Sequence, residues 1–240
     1  MIEFFSGSGE LAKAFEEAGY KVFKIDNDPQ RTPDLVINML HFEISMLPDW
    51  AKNPDVVHFG VPCTKFSVAG RSSNFTNFMP NSYDSCIALA LVYKSLDTIK
   101  FFQEINPNLF WFIENPMGYL RMFPFMRKLA RKEVWYCQYG DTKAKPTDFW
   151  TNATWWIPKT CFNNNPNCHH DRAPRGSKSG VQGCKDAYER GIYPKKLCKE
   201  IVDVCETGQI LTQAPSEPFD SNLTIPLRSI QMSFGHFVKS

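Results

Sequence analysis

The first 26 residues constrain the fold more than any other part of the chain. They begin with the apolar run MIEFF, which is typical of a buried strand, and continue with the glycine turn SGSGE. The segment LAKAFEEAG then has apolar residues at helical spacing, and YKVFKID returns to a strand pattern. A strand, a glycine turn, a helix and a second strand in quick succession are typical of a parallel sheet, so we predict an α/β fold.

Further strands and helices are predicted along the next part of the chain. DLVIN, DVVHFGV, LFWFIENP, VWYCQYG and TDFWTN have strand character, and SCIALALVYKSLDTIKFFQEI and PFMRKLARK have helical character. Residues 64–85 are polar and loop-like, which is long for a connection in a compact domain and favours a functional loop.

The composition changes near Pro158, and this change sets the predicted domain boundaries. Residues 158–190 are rich in Asn, Gly, Ser, Cys, His and Arg and have little periodicity, so we expect a small irregular subdomain there. We expect a main domain over residues 1–157 and a C-terminal helix followed by an extended tail over residues 191–240.

The composition also bounds the compartment and the class of partner. The N-terminus lacks a secretory signal pattern, and no window is apolar enough to span a membrane, so we expect a soluble, cytoplasmic protein that is not secreted and has no membrane partner. Eight cysteines in a reducing compartment favour catalysis, metal binding or core packing over disulfides. A net charge of +2 is too small to identify a nucleic-acid partner by itself.

Cys63 is the first candidate for catalysis. It follows the run VVHFGV and Pro62, and a proline cannot donate a ladder hydrogen bond, so the strand should end there and leave Cys63 at its carboxyl end. The residues leave two interpretations open. Cys63 is either a small buried apolar residue, as most free cysteines are, or a nucleophilic thiolate.

A glycine turn and an acidic residue together indicate a nucleoside-bearing cofactor. Gly7 and Gly9 lie between the first strand and the first helix, where the backbone is open to a ligand. Asp26 ends the second strand, where an acid is placed to accept hydrogen bonds from ribose hydroxyls, and Asp28 competes for this role. An ordinary tight turn and a loop cap are the alternatives.

Glu114 and Asn115 follow the apolar run NLFWFI, so a carboxylate is predicted at the end of a buried strand. Desolvation there raises a carboxyl pKa and allows proton donation near neutral pH. Because the carboxyl ends of parallel strands meet at one edge, Glu114 and Cys63 are expected to converge on one ligand.

With these motifs in order, the sequence resembles the C5-cytosine methyltransferase family, and in particular its compact Dcm-like members from phages and prophages. The resemblance is carried by FFSGSGE, Asp26, GVPCTKFS, ENP and YCQYGDTKAKPTDFWTN, over roughly the first 155 residues. It implies a Rossmann-like methyltransferase fold with a mostly parallel sheet flanked by helices. It also implies S-adenosylmethionine as the cofactor.

The resemblance implies roles for individual residues. Its nucleophile corresponds to Cys63, its base-binding pair to Glu114 and Asn115, and a later basic position to Lys145. Arginine is more usual at that basic position, and lysine keeps the charge but not the bidentate fork. The implied cofactor contacts are Phe5, Ser6, Gly7, Gly9, Asp26, Asn27 and Pro62.

Two further sets of residues are candidates for binding. Ser67 and Arg71 in the long loop, with Arg172, Arg175 and Lys178, are expected to contact a phosphate backbone. A structural zinc ion is expected on Cys161, Cys168, His169 (or its neighbour His170) and Cys184, because the segment is too polar to fold alone, although the spacing is not that of a standard finger.

The expected function is methyl transfer to carbon 5 of cytosine in double-stranded DNA, without a specified oligomeric state. The thiolate adds to C6, the carboxyl group assists at N3, and the target base is flipped out of the duplex. Restriction, viral protection or regulation are all compatible purposes. Alternatives are an RNA cytosine-5 methyltransferase, a catalytically weak DNA-binding protein with the same fold, and transfer of a modified group from an altered cofactor.

Overall fold

A seven-stranded sheet forms the centre of the molecule. The computed structural model describes residues 1–68, 70–163, 165–171 and 187–211. The strands are β1 (Ile2–Phe4), β2 (Phe23–Asp26), β3 (Leu35–Val36), β4 (Val56–Gly60), β5 (Phe75–Thr76), β6 (Met79–Pro80), β7 (Phe110–Pro116), β8 (Arg131–Trp135) and β9 (Pro146–Thr151). The helices are α1 (Glu10–Glu17), α2 (Arg71–Asn74), α3 (Tyr83–Ile105), α4 (Ala187–Gly191) and α5 (Lys195–Leu211).

The sheet order is β3-β2-β1-β4-β7-β9-β8. Its first five strands are parallel, β9 pairs antiparallel with β7, and β8 pairs antiparallel with β9 at the edge. The small hairpin of β5 and β6 lies within the long loop after β4. The predicted α/β class and mostly parallel, Rossmann-like sheet are therefore confirmed.

Apolar residues cover both faces of the sheet. One buried cluster packs α3 against strands β1, β4 and β7, with the Phe4 and Phe59 rings stacked at 4.4 Å between centroids. The second cluster packs α1 and α5 against the opposite face through residues such as Phe15, Leu197 and Ile201. Helix α5, from the far end of the chain, therefore shares a core with the first helix.

The predicted helix PFMRKLARK is wrong. A single 3₁₀ turn, Met126–Lys128, lies there, and β8 has already begun at Arg131. Pairing with β9 sets this strand, because Arg131 lies opposite Trp150 in the register and its Nε is 3.4 Å from Asp148 Oδ1. Sheet pairing overrides the helical spacing. The strand predicted over VWYCQYG likewise ends at Trp135, and a 3₁₀ turn, Tyr136–Tyr139, follows.

The remaining predicted elements of the described residues are present with small shifts at their ends. The amphipathic segment between β3 and β4 forms three short 3₁₀ turns. No helix among the described residues is both long and apolar enough to cross a bilayer.

Candidate active site

Cys63 and Glu114 come from neighbouring strands at the same edge of the sheet. Strands β4 and β7 are parallel, and their register places Gly60 opposite Glu114. Cys63 follows three residues after the end of β4, on the loop that β4 leads into, and its side chain is exposed. The sheet topology thus brings Cys63 and Glu114 to one edge, as the sequence predicted.

The loop that carries Cys63 is fixed to the loop that follows Glu114. Asn115 is buried, and its Nδ2 donates a hydrogen bond to the Val61 carbonyl at 3.0 Å. The Tyr119 amide donates to the Phe66 carbonyl at 2.6 Å. Gly118 lies against that carbonyl so closely that a Cβ atom would overlap it. These contacts hold the backbone on both sides of Cys63.

Glu114 and Lys145 form a buried pair of opposite charge. Their side chains are about equally inaccessible, at 7% exposure each, and Lys145 Nζ lies 3.9 Å from Glu114 Oε1. Burial raises the pKa of the Glu114 carboxyl, and the Lys145 ammonium and a hydrogen bond from Tyr193 oppose that rise. Burial lowers the pKa of Lys145, and the Glu114 carboxylate opposes that fall. The neutral acid form of Glu114 is therefore favoured more than in water.

Two tyrosines outside the sequence predictions complete the surroundings of this pair. The Lys145 ammonium lies 4.2 Å from the centre of the Tyr136 ring, which is a cation–π distance. Tyr193, just before α5, hydrogen-bonds to Glu114, and its hydroxyl lies 3.3 Å from Nε2 of the buried His58. Burial lowers the pKa of His58 to about 3, so this imidazole is neutral. The Tyr193 hydroxyl can thus donate to the carboxylate and accept from His58.

The charges of Glu114 and Lys145 also change the pKa of the Cys63 thiol. Desolvation by the surrounding protein raises the pKa of Cys63, and Glu114 raises it further. Lys145 and Arg190 lower it. A cation is thus close enough to stabilise the thiolate, while an ionised Glu114 disfavours it.

The glycine turn lies at the adjacent end of β1. Gly7 and Gly9 have positive φ angles of 51° and 69°, and Phe5 has the unusual value of 56° for a residue with a side chain. Asp26 holds this turn, since its carboxylate accepts hydrogen bonds from the amides of Gly7 and Asp28, both at 2.9 Å. The predicted acid thus has a structural partner on each oxygen.

The turn also has capacity for a ligand. The Ser6 hydroxyl is buried without a hydrogen-bond partner, and a Cβ atom added to Gly9 would meet no atom within 4 Å. Each Asp26 oxygen retains a second lone pair. A polar group with hydroxyls and amines, such as the nucleoside of S-adenosylmethionine, fits this donor and acceptor set. Asn27 and Pro62 are exposed at the same edge, whereas Asp28 caps a 3₁₀ turn through the Gln30 amide and pairs with Arg31.

The residues predicted to contact a phosphate backbone divide into two groups. Ser67 and Arg71 are exposed in the loop after Cys63, where the Ser67 hydroxyl accepts from the Gly70 amide and the Arg71 guanidinium lies 5.1 Å from the Tyr119 ring centre. Arg172, Arg175 and Lys178 lie outside the described residues. Their roles stay predictions.

The predicted metal ligands require a correction. The structure brings Cys161 and Cys168 together, but with His170 and Cys137 and not with His169. His169 is exposed and its Nε2 is 3.0 Å from the Asp141 carbonyl, whereas His170 is buried and faces the sulfur atoms. Cys184 lies outside the described residues.

Sequence reasoning did not single out Tyr193, His58, Tyr136 or Cys137. Buried tyrosines and histidines are ordinary core residues, and only the fold shows that Tyr193 hydrogen-bonds to Glu114 and that His58 faces the Tyr193 hydroxyl. The sequence carries a weak signal for Cys137, because this cysteine lies within the motif YCQYGDTKAKPTDFWTN, one residue before Gln138.

The first part of the chain matches a known protein family. Residues 1–118, which contain Cys63 and Glu114, match the model of the C-5 cytosine-specific DNA methylase family. No curated protein shows significant similarity to the chain.

The chain also has similarity to two solved structures. The Entamoeba histolytica methyltransferase EhMeth is 15% identical over 62% of this chain and 51% of its own, with a TM-score of 0.41. A Spodoptera frugiperda DNMT2 mutant is 14% identical over 62% of this chain and 48% of its own, with a TM-score of 0.38. The chain thus spans about half the length of each.

Proposed function

Because residues 1–118 match the model of the C-5 cytosine-specific DNA methylase family, we propose that the protein transfers a methyl group from S-adenosylmethionine to carbon 5 of cytosine in DNA. The observation that carries the proposal is the juxtaposition of an exposed Cys63 with the buried Glu114–Lys145 pair at one sheet edge. A nucleophile, a proton donor and a cation are the groups that this reaction needs.

Cys63 and Glu114 act together on the base in this proposal. Carbon 5 of cytosine is a poor nucleophile, and addition of the Cys63 thiolate to C6 makes it reactive. Glu114, whose pKa burial raises, donates a hydrogen bond or a proton to N3 and so stabilises the negative charge that develops in the ring. After C5 has accepted the methyl group, a base from the solvent takes the C5 proton, the C5–C6 double bond re-forms, and the C6–S bond breaks to restore the thiolate.

In the proposal, Lys145 adjusts the charge of Cys63 and Asn115 fixes its position. The Lys145 ammonium lowers the pKa of Cys63 and provides positive charge beside the ring. Asn115 fixes the position of the Cys63 loop through its bond to Val61. The methyl donor, when bound, supplies an electrophilic sulfonium methyl group. Ser6, Gly7, Gly9 and Asp26 would hold it, with Phe5, Asn27 and Pro62 around them.

The target cytosine must leave the duplex to reach Cys63, since C5 and C6 are stacked inside double-stranded DNA. The loop of residues 64–82, which carries Ser67 and Arg71, lies directly after the nucleophile. Its position favours contact with the strand from which the base is flipped.

The test is covalent trapping with 5-fluorocytosine in duplex DNA. Fluorine at C5 cannot leave as a proton does, so the final elimination is blocked and the adduct with Cys63 persists. We expect a stable protein–DNA complex on a denaturing gel in the presence of S-adenosylmethionine. Cys63→Ser should lose it, and Cys86→Ala, a change at a buried cysteine on α3, should keep it.

Two outcomes discriminate between the alternatives. Equal trapping by Cys63→Ser and the parent would make the proposed nucleophile wrong. A parallel RNA substrate that contains 5-fluorocytidine tests the nucleic acid, because trapping of RNA alone would replace DNA by RNA as the substrate. Absence of any adduct with both substrates would support a binding protein that does not catalyse.

A further inference from the structure

Four metal-ligating side chains meet beside the active site, from parts of the chain that are far apart in sequence. Cys137 lies in the 3₁₀ turn after β8, and Cys161, Cys168 and His170 lie in the segment after β9. One ligand atom from each lies within 4.8 Å of the other three, and Cys161 Sγ is 3.9 Å from His170 Nδ1. We propose that these four residues bind one structural Zn²⁺ ion.

The ligand types and the distances fit zinc. Structural zinc sites are tetrahedral, and three cysteines with one histidine is one of their common ligand sets. Zn–S bonds of about 2.3 Å and Zn–N bonds of about 2.0 Å separate ligand atoms by roughly 3.5–3.8 Å. The observed separations require small side-chain rotations to reach these values. Soft thiolates favour zinc over magnesium or calcium, which take oxygen ligands.

Amide side chains around the cluster supply the outer contacts of such a site. Gln138 Nε2 lies 3.3 Å from Cys168 Sγ and 3.8 Å from Cys137 Sγ, and Asn165 Nδ2 lies 3.3 Å from Cys161 Sγ. Amide N–H groups that donate to sulfur stabilise the thiolate form that binds a metal. A cluster of neutral thiols would not need these donors.

The segment that carries three of the ligands has little regular structure of its own. The described residues of 158–171 contain no helix or extended strand, and Phe162 is 58% exposed. The ends of the segment bond to the rest of the molecule, since the Trp135 amide donates to the Lys159 carbonyl at 3.2 Å and the Asp171 amide donates to the Thr142 carbonyl at 2.8 Å. Metal binding would supply the free energy that the segment lacks as a core.

The position of the site gives the metal a second effect. Cys137 follows Tyr136 directly, and the Tyr136 ring carries the Lys145 ammonium on its face. The Tyr136 amide also bonds to the Lys145 carbonyl at 3.5 Å. An ion that fixes Cys137 therefore fixes the base of the loop that delivers Lys145 to Glu114. The proposed zinc site would support the active site without taking part in the reaction.

The test compares two adjacent histidines in otherwise identical full-length proteins. After purification with a thiol reductant and without chelator, we expect elemental analysis to find about one zinc per chain in the parent. His169→Ala should keep this zinc, and His170→Ala should lose most of it. Zinc below a tenth of an equivalent in the parent, or equal zinc in both variants, would overturn the proposal.

A second measurement covers the case in which His170→Ala does not fold. Zinc in the parent is exchanged for Co²⁺, which in a tetrahedral thiolate site gives intense visible absorption and a thiolate-to-metal band. We expect both features, and their loss on addition of excess Zn²⁺. A weak, octahedral Co²⁺ spectrum, or a disulfide between two of the cysteines in the intact mass of the freshly purified protein, would contradict the site. Neither measurement depends on methyl-transfer activity.

Discussion

The two sides of the candidate site are built in different ways. Cys63 and Glu114 stand at the ends of adjacent parallel strands, within the residues that match the family model. Lys145 and Tyr193 reach the same place from a loop between antiparallel strands and from the turn before α5. In the proposed reaction, the first side supplies the reacting groups and the second adjusts their charge. The comparison teaches that the positions of Cys63 and Glu114 are set by the strand ends, whereas their protonation states depend on later parts of the chain.

The largest effect should come from the reacting side. Glu114→Gln keeps the shape of the side chain but cannot donate a proton to N3, so we expect kcat to fall by about 1,000-fold. Glu104→Gln, on the exposed face of α3, is the matched control and should leave kcat unchanged. Steady-state methylation of cytosine-containing DNA measures both. Near-normal activity of Glu114→Gln would show that the carboxyl group is not the N3 partner.

Loss of the cation should have the next largest effect. Lys145→Met removes the charge that lowers the pKa of Cys63, so we expect about a 100-fold loss of kcat. We also expect the pH at which the Cys63 thiol becomes reactive to iodoacetamide to move upward. Lys145→Arg should restore part of kcat and part of the alkylation profile. Lys143→Met is the control and should change neither. An alkylation profile that superimposes on that of the parent would refute this role of Lys145.

A buried carboxyl group away from the reaction should change stability without changing activity. Burial raises the pKa of Glu3 to about 8, so the folded state holds a proton that the unfolded chain releases near pH 4.5. The stability that Glu3 contributes is therefore present below pH 4.5 and is lost as the pH rises through 8. Between pH 6.5 and 8, Glu3→Gln should become about 2 kcal/mol more stable relative to the parent.

Urea unfolding at a series of pH values measures this difference, and Glu16→Gln on the exposed face of α1 is the control. His58 acts in the opposite direction, because burial lowers its pKa to about 3 and stability is lost as the pH falls from about 6.5 toward 3. A constant difference in unfolding free energy between Glu3→Gln and the parent from pH 6.5 to pH 8 would rule out the buried acid.

The smallest effect should come from a single hydroxyl group on the adjusting side. Tyr193→Phe keeps the ring but removes the hydrogen bond that positions the Glu114 carboxyl and lowers its pKa, and because this position is lost we expect kcat to fall by about 10-fold. Because the pKa of Glu114 then rises, the alkaline limb of the pH–rate profile should move to higher pH. Tyr188→Phe, whose ring is partly exposed, controls for loss of a phenol. A pH–rate profile that does not shift would show that Tyr193 only packs against its neighbours.

The sequence predicted the strand-end side of the site well, for a physical reason. A glycine turn, an acid after β2, a cysteine after β4 and a glutamate in β7 are local features at the ends of strands, and a parallel sheet brings such ends to one edge. The order of the motifs along the chain was sufficient to place Cys63 near Glu114.

The other side depends on contacts that no local pattern encodes. Tyr193 reaches His58 across 135 residues, and α5 packs on α1 through ordinary apolar residues. The same limit explains the error at residues 124–132, where pairing of Arg131–Trp135 with β9 outweighs helical spacing. It also explains the choice of His170 over His169, since two adjacent histidines point in different directions and only their surroundings separate them.

The late position of Tyr193 has a consequence for the synthesis of the protein. A nascent chain that has emerged from the ribosome as far as β7 already contains Cys63 and Glu114, but it lacks β9, Lys145 and Tyr193. Glu114 then has neither its cation nor its phenol, and β7 has an unpaired edge. The candidate site is therefore among the last parts of the molecule to be assembled during translation, so a half-made chain carries Cys63 and Glu114 without the groups that adjust their charge.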